Sequence, residues 1–112
     1  MNKELLKKLN FQKAQGLIPV VVQDYKSKTL LMVAYANKEA LDKTLETGYA
    51  HYWSRSRKKL WKKGETSGHT QKIKRILVDC DYDTLLYLVK QKGPACHTNK
   101  LTCFHNLIIS EN

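Results

Sequence analysis

Three aspartates alternate with other residues in the segment Asp79-Cys80-Asp81-Tyr82-Asp83. In an extended chain, side chains at positions i, i+2 and i+4 project to the same face, so these carboxylates can converge on one hard cation. The thiol of Cys80 then faces the opposite side. An acidic turn exposed to water is the alternative, but three like charges repel one another unless something positive lies among them. The segment therefore favours a metal site with carboxylate ligands.

Three cysteines form a second group with chemical potential: Cys80, Cys96 and Cys103, with His97 directly after Cys96. Thiolates prefer zinc, whereas carboxylates prefer magnesium or calcium, so two different metals could bind to one protein. Three thiolates leave the fourth position of zinc open, which is typical of a catalytic metal that binds water. The spacing is wider than the CxxC pairs of structural zinc fingers, and cysteines are also common in cores. On the residues alone, a zinc site and buried thiols are both open.

A basic and aromatic stretch runs from His51 to His69. It combines cations that pair with phosphate, aromatic rings that can stack on a base, and hydroxyl groups next to glycines that let a ligand approach the backbone. A phosphorylated nucleotide would suit this composition, and so would RNA. A solvated basic loop, in which Trp53 and Trp61 anchor the core, is the third interpretation. The composition does not separate the three.

The overall composition sets the context for these groups. The 20 Lys and Arg residues exceed the 10 Asp and Glu residues, and the formal net charge of +10 attracts anions. A length of 112 residues is typical of one domain, predicted here over residues 1–112. The absence of a secretion signal and of a run of about 20 apolar residues predicts a cytoplasmic protein with no membrane partner. In that reducing compartment, an odd number of cysteines indicates metal or thiol chemistry.

The hydrophobic pattern predicts an α+β fold with one or two helices and a predominantly antiparallel β-sheet. Leu5, Leu6 and Leu9 share one face of a short first helix, and Asn37 and Gly48 bound a helix over residues 38–47. A hairpin is predicted from strands 18–25 and 29–36, and further strands are predicted over 50–54, 74–81, 84–90 and 101–109. The polar stretch 55–71 is predicted to be a functional loop.

All three groups, in this order and spacing, resemble the phosphoribosyl-AMP cyclohydrolase family from about residue 16 to residue 106. The resemblance rests on Tyr52-Trp53-Ser54-Arg55-Ser56-Arg57, Leu60-Trp61-Lys62-Lys63-Gly64-Glu65-Thr66-Ser67-Gly68-His69, Asp79-Cys80-Asp81 with Asp83, and Ala95-Cys96-His97-Thr98 with Cys103-Phe104. It implies an enzyme of histidine biosynthesis that opens the adenine ring of phosphoribosyl-AMP at the N1–C6 bond. The family often has glycine where this chain has Asn99, which tolerates left-handed backbone well. Few residues follow the last motif, so the monofunctional form of the family is expected.

The resemblance also implies ligands and roles for individual residues. One Mg²⁺ per subunit is expected at Asp79, Asp81 and Asp83. One Zn²⁺ per subunit is expected at Cys80, Cys96 and Cys103, in a site shared between the two subunits of an intertwined homodimer. Zinc-activated hydroxide would attack C6, and His69 or His97 would protonate the departing nitrogen, because imidazole titrates near neutral pH. The expected substrate contacts are Trp53, Arg55, Arg57, Lys62, Lys63, Thr66 and Ser67, with no nucleic-acid partner.

Two other functions compete with this interpretation. A small basic RNA-binding protein could use the stretch from His51 to His69 and simply bury its cysteines, but that function leaves the three aspartates unexplained. A structural zinc module for protein contacts is the second alternative, although such modules usually close the site with four ligands.

Overall fold

The computed structural model describes residues 1–111, which form two helices, a four-stranded sheet and a two-stranded sheet. The elements are α1 (Lys3–Lys8), β1 (Ile18–Asp24), β2 (Leu30–Ala36), α2 (Lys38–Thr47), β3 (His51–Ser54), β4 (Lys59–Lys62), β5 (Gln71–Val78) and β6 (Leu85–Gln91). The larger sheet has the order β2-β1-β6-β5; β1 and β6 run parallel, and the other neighbours run antiparallel. The small, mostly antiparallel α+β architecture predicted from the sequence is confirmed.

The predicted hairpin and the predicted second helix form where their sequence signals lie. In β1 the side chains of Ile18, Val20 and Val22 are fully buried, and the strand pairs with β2 in the register Val20 to Ala34. The Asn37 side chain accepts a hydrogen bond from the Ala40 N–H at 2.8 Å and so caps α2. Gly48 ends the helix in the left-handed conformation, at φ 79°.

The core lies between one face of the larger sheet and a layer made of α2 and the β3–β4 hairpin. Tyr52 of β3 stacks on Tyr87 of β6 with 6.0 Å between ring centroids, and Trp61 of β4 lies 5.3 Å from Tyr52. Both tyrosines are fully buried. The hairpin is therefore fixed to the sheet through large aromatic rings. Among residues 1–111, no helix is long and apolar enough to cross a membrane.

Two predicted segments are wrong. Strand β4 lies inside the predicted 55–71 loop, where Leu60 and Trp61 pair with β3 across a short turn. Residues 101–109, predicted to be a strand, form no strand. Their segment instead folds back on the preceding loop, where the Ala95 N–H donates to the Leu101 carbonyl at 3.1 Å. The apolar side chains that suggested a strand are largely exposed: Leu107, Ile108 and Ile109.

Candidate active site

The turn between β5 and β6, residues 79–84, brings three carboxylates together. Oxygen atoms of Asp79, Asp81 and Asp83 all lie within 4.8 Å of one another. Within residues 1–111, this is the only group of three His, Cys, Asp or Glu side chains whose possible ligand atoms lie so close. The predicted convergence is present, and the arrangement presents hard oxygen ligands to one point.

The cause of this convergence differs from the predicted strand alternation. Strand β5 ends at Val78, and the chain then turns, with Tyr82 in the left-handed conformation at φ 60°. The Asp79 carboxylate accepts hydrogen bonds from the N–H groups of Asp83 at 3.1 Å and Thr84 at 3.2 Å. The tight turn, rather than the pleat of a strand, therefore gathers the carboxylates. Cys80 lies on the same turn and is exposed.

A lysine from the N-terminal segment lies against this acidic turn. The Lys13 ammonium is 2.5 Å from a carboxylate oxygen of Asp83, and this hydrogen-bonded ion pair lowers the pKa of Asp83 and raises the pKa of Lys13. The backbone holds the segment in place, because the Asn10 N–H donates to the Tyr82 carbonyl at 2.7 Å. The sequence analysis missed Lys13, and no spacing signal connects it to residues 79–84.

Cys96 and Cys103 lie in the loop that follows β6, close enough for each to shift the pKa of the other. The Thr98 hydroxyl donates to the Cys96 sulfur at 3.0 Å. This hydrogen bond lowers the pKa of Cys96 to about 6, with smaller contributions from the Thr98 backbone N–H and from His105. Burial raises the pKa of Cys103, whose N–H donates to the Leu31 carbonyl at 2.8 Å. At neutral pH the Cys96 sulfur is therefore largely a thiolate, the form that binds metals.

His105 is a further member of this loop that the sequence analysis missed. Its Nε2 atom lies 3.8 Å from the Cys96 sulfur and 3.4 Å from the Thr98 hydroxyl. The sequence signal that could have identified His105 is its position two residues after Cys103.

Cys80 lies at the opposite end of the sheet from Cys96 and Cys103. Cys80 precedes β6, whereas Cys96 follows it, and the seven residues of β6 span roughly 20 Å. The Cys103 N–H donates a hydrogen bond to the carbonyl of Leu31 in β2. The neighbouring Leu30 pairs with Gln23, near the end of β1. That end of β1 lies beside Val89, late in β6. Within one chain, the three sulfurs therefore do not form one cluster.

The β3–β4 hairpin and β2 surround a cavity of about 430 Å³. It is lined by Met32, Val33, Ala34, Tyr35, Trp53, Ser54, Arg57, Lys59 and Trp61. Aromatic rings and cations thus share one concave surface, which suits a phosphorylated ligand with a planar base. Arg55 lies beside it, with its guanidinium 3.9 Å from the centre of the Tyr35 ring. Of the predicted substrate residues, Trp53 and Arg57 line this cavity.

The other predicted substrate residues lie after the hairpin. The Lys62 ammonium is 5.0 Å from the centre of the Tyr49 ring. The Lys63 ammonium donates to the Ala95 carbonyl beside the two cysteines, and burial lowers its pKa. Thr66 and Ser67 are exposed on a turn that is closed by the Gly68 N–H donating to the Gly64 carbonyl at 2.8 Å. The hairpin therefore reaches from the cavity to the cysteine loop.

The two predicted catalytic histidines lie in different segments. His69 packs its imidazole on Gly93, where an added Cβ would lie only 2.7 Å from the His69 Cδ2 atom. Its backbone N–H donates to the Ser67 hydroxyl at 3.1 Å. His97 is exposed and directly follows Cys96. The structure thus holds His69 firmly by packing and leaves His97 on the surface of the cysteine loop.

Comparison with known proteins gives a consistent set of relatives. The sequence profile of a family described as phosphoribosyl-AMP cyclohydrolase matches residues 32–105. The chain is 66% identical over 91 residues to the phosphoribosyl-AMP cyclohydrolase of Archaeoglobus fulgidus, covering 81% of this chain and 84% of the relative. It is 54% identical over 101 residues to that of Cenarchaeum symbiosum, covering 90% and 94%. It is 54% identical over 106 residues to that of Clostridium botulinum strain 657, covering 95% and 96%.

Proposed function

The chain belongs to the phosphoribosyl-AMP cyclohydrolase family, and from this membership we propose that it hydrolyses the adenine ring of phosphoribosyl-AMP in histidine biosynthesis. The second phosphoribosyl group on N1 removes aromatic stability from the ring and leaves C6 electrophilic. Water adds at C6, the N1–C6 bond breaks, and N1 receives a proton. The product is a carboxamide nucleotide with an open formimino arm. The chain must therefore bind two phosphates, supply an activated water and protonate N1.

Cys80, Cys96 and Cys103 would hold zinc, because thiolates are its preferred ligands and the chain contains three. The donor set fits: Cys96 is largely deprotonated at neutral pH, and Cys103 lies next to it. When bound, zinc would supply the activation of water that attack on C6 at neutral pH requires. The chain's own contribution is the Thr98 hydroxyl, which keeps Cys96 ready as a ligand.

The observation behind the proposed arrangement of the zinc site is the separation of the cysteines across the sheet. Zinc–sulfur bonds are about 2.3 Å long, so a strand of roughly 20 Å between Cys80 and Cys96 excludes them from one site within this fold. We infer that Cys80 of one subunit joins Cys96 and Cys103 of the other in a homodimer. Each zinc would then have three thiolate ligands and an open position for water.

Asp79, Asp81 and Asp83 would hold magnesium, since their oxygens approach within 4.8 Å of one another and hard cations prefer carboxylates. Their turn also carries Cys80, so a shared zinc site would place the magnesium ligands of one subunit beside the zinc ligands of its partner. These carboxylates would thus position a second positive charge near a substrate that carries two phosphates.

The cavity beside the hairpin would hold the substrate. The substrate has a charge of roughly −3 to −4, because the second pKa of each phosphate is near 6. Arg57 and Lys59 offer cations at the cavity, while Trp53 and Trp61 offer faces on which a purine can stack. Met32 lines the cavity, and the carbonyl of the preceding residue, Leu31, accepts a hydrogen bond from the Cys103 N–H. The base would therefore lie near the cysteine loop. His69 or His97 is proposed to protonate N1.

The test is a ring-opening assay. The purified protein is incubated with phosphoribosyl-AMP, and ultraviolet absorbance follows conversion of the purine into the open product. Turnover is expected with zinc bound and should disappear when a chelator removes the zinc, with the loss of metal checked by elemental analysis. Normal activity of zinc-free protein supplied with magnesium alone would refute the proposed role of the cysteines.

A second variant separates the two metal sites. Asp81→Asn is expected to weaken the dependence of activity on magnesium while the zinc content stays near one per subunit. Loss of zinc together with activity, in an Asp81→Asn protein that is otherwise folded, would show that the carboxylates belong to the zinc site.

A further inference from the structure

The ion pair between Lys13 and Asp83 places a cation of the chain itself at the proposed magnesium ligands. The ammonium is 2.5 Å from the Asp83 carboxylate, and Asp79 and Asp81 are near enough to act electrostatically on the same ammonium. Asp83 is the less exposed partner, since its side chain is 15% exposed and that of Lys13 is 66% exposed. The ammonium therefore covers one of the three carboxylates.

The backbone around Lys13 is built to present this side chain to the turn. The Asn10 carboxamide oxygen accepts hydrogen bonds from the N–H groups of Gln12 and Lys13, both at 3.0 Å. The Asn10 N–H is bonded to the Tyr82 carbonyl, and Phe11 packs against the core. The segment thus has anchors that do not depend on the ion pair. The Lys13 side chain can leave Asp83 while its backbone stays in place.

From this geometry we propose that Lys13 is a built-in competitor of the divalent cation at Asp79, Asp81 and Asp83. A divalent ion held by the three aspartates would lie against the Asp83 carboxylate that the ammonium already contacts, and two cations on one carboxylate repel each other strongly. Binding of the ion therefore requires Lys13 to swing away. The cost of that displacement lowers the affinity of the site, so Lys13 sets the magnesium concentration at which the site fills. This inference rests on the proposed magnesium function of the aspartates.

The test measures Mg²⁺ affinity directly, by isothermal titration calorimetry of protein loaded with one zinc per chain, at constant ionic strength. Ion pairs with an exposed partner are weak, so Lys13→Gln is expected to bind Mg²⁺ only about two- to fivefold more tightly than the unmodified protein. Lys13→Arg retains the charge and should bind Mg²⁺ like the unmodified protein. Lys13→Gln also removes the ion pair from the metal-free protein, so its melting temperature should fall by no more than a few degrees, whereas Lys13→Arg should melt like the parent.

Lys7→Gln is the matched control. It removes the same charge from an exposed residue of α1, for which no ion pair is found within residues 1–111. An affinity gain in Lys13→Gln that exceeds the gain in Lys7→Gln supports competition at Asp83. Equal gains in the two variants, or no gain in Lys13→Gln while the unmodified protein binds Mg²⁺, would overturn the inference alone. If neither the unmodified protein nor Lys13→Gln binds Mg²⁺, the proposed magnesium site fails together with the inference.

Discussion

At the scale of single residues, the two buried tyrosines of the core differ in their hydrogen bonding. The Tyr52 hydroxyl donates to the fully buried Gln71 carboxamide at 2.5 Å. The Tyr87 hydroxyl has no partner among residues 1–111. The Thr44 hydroxyl lies near enough to affect the pKa of Tyr87, but its hydrogen bonds go to the carbonyl of Ala40 and the N–H of His51, and it makes none of good geometry with Tyr87. The Tyr52 hydroxyl therefore satisfies the buried Gln71 carboxamide oxygen, whereas the Tyr87 hydroxyl is buried without a hydrogen-bond partner among the described residues.

This difference predicts opposite effects of the same substitution. Tyr52→Phe leaves the Gln71 oxygen without a donor and should lower the free energy of unfolding by about 1–3 kcal/mol. Tyr87→Phe removes an unsatisfied buried group and should raise the free energy of unfolding by about 1 kcal/mol. Urea denaturation followed by tryptophan fluorescence measures both. Destabilisation of Tyr87→Phe comparable to that of Tyr52→Phe would show that the Tyr87 hydroxyl has a partner, such as a buried water.

Arg57 is the residue at which substrate binding is most directly testable. It lies on the exposed turn between β3 and β4 and lines the cavity, so its charge should act on a substrate phosphate. Arg57→Ala is expected to raise KM about tenfold, or about 1.4 kcal/mol, with a smaller change in kcat. The defect should shrink at high salt, because screening weakens the phosphate contact in the unmodified protein.

Lys7→Ala serves as the control for net charge and should leave KM unchanged. An equal rise in KM in both variants would mean that the general positive field attracts the substrate. Tight binding of generic RNA that displaces phosphoribosyl-AMP would instead favour the nucleic-acid interpretation of the basic stretch.

At the scale of elements, the sequence predicts most reliably where local chemistry marks both ends. Helix α2 forms over the predicted residues because Asn37 caps its start and Gly48 ends it. Strand β4 escaped detection because Leu60 and Trp61 stand between lysines, and only pairing with β3 makes so short a strand stable. Residues 101–109 carry β-forming side chains, but they meet the edge strand β2 only through the Cys103 N–H and the Thr102 hydroxyl. The rest of the segment adds no ladder, and Leu101 closes the loop by accepting from the Ala95 N–H. Tertiary pairing decided both cases.

The turn after β4 depends on one glycine. Gly64 has φ 78°, and a Cβ there would lie 2.4 Å from the carbonyl carbon of His69 and 2.5 Å from the nitrogen of Thr70. Gly64→Ala should therefore lower the free energy of unfolding by more than about 2 kcal/mol, through backbone strain and a clash with the backbone. It should also lower activity, because the turn carries Thr66 and Ser67.

Gly16→Ala separates the two causes. Gly16 has φ 90°, but an added Cβ would meet nothing within 4 Å. This substitution should cost only the conformational strain, about 1–2 kcal/mol. Thermal denaturation of both variants gives the comparison, and equal losses of stability would show that the clash at Gly64 is relieved by a shift of the turn.

At the scale of the whole molecule, the sheet separates groups that a shared function would have to bring together. The acidic turn with Cys80 lies at one end, and the loop with Cys96 and Cys103 lies at the other. The sequence identified these residue types, because each belongs to a short motif. It did not identify Lys13 or His105, since their approach to Asp83 and Cys96 depends on how distant segments fold together. Short motifs therefore mark candidate ligands, whereas the residues that surround them are recognised only once distant segments fold together.

A mixing experiment tests whether two subunits complete one zinc site. Cys80→Ala and Cys96→Ala should each be inactive alone, because every site in either homodimer lacks one thiolate. Refolding the two variants together gives mixed dimers, in which one shared site collects both substitutions and the other collects intact Cys80, Cys96 and Cys103. Random mixing makes half of the dimers mixed, and each has one intact site of two, so about a quarter of the parent's activity should return. Zinc content should rise in parallel. If mass spectrometry demonstrates mixed dimers and activity stays absent, each site must lie within a single subunit, and the fold around Cys80 would have to differ from the one described.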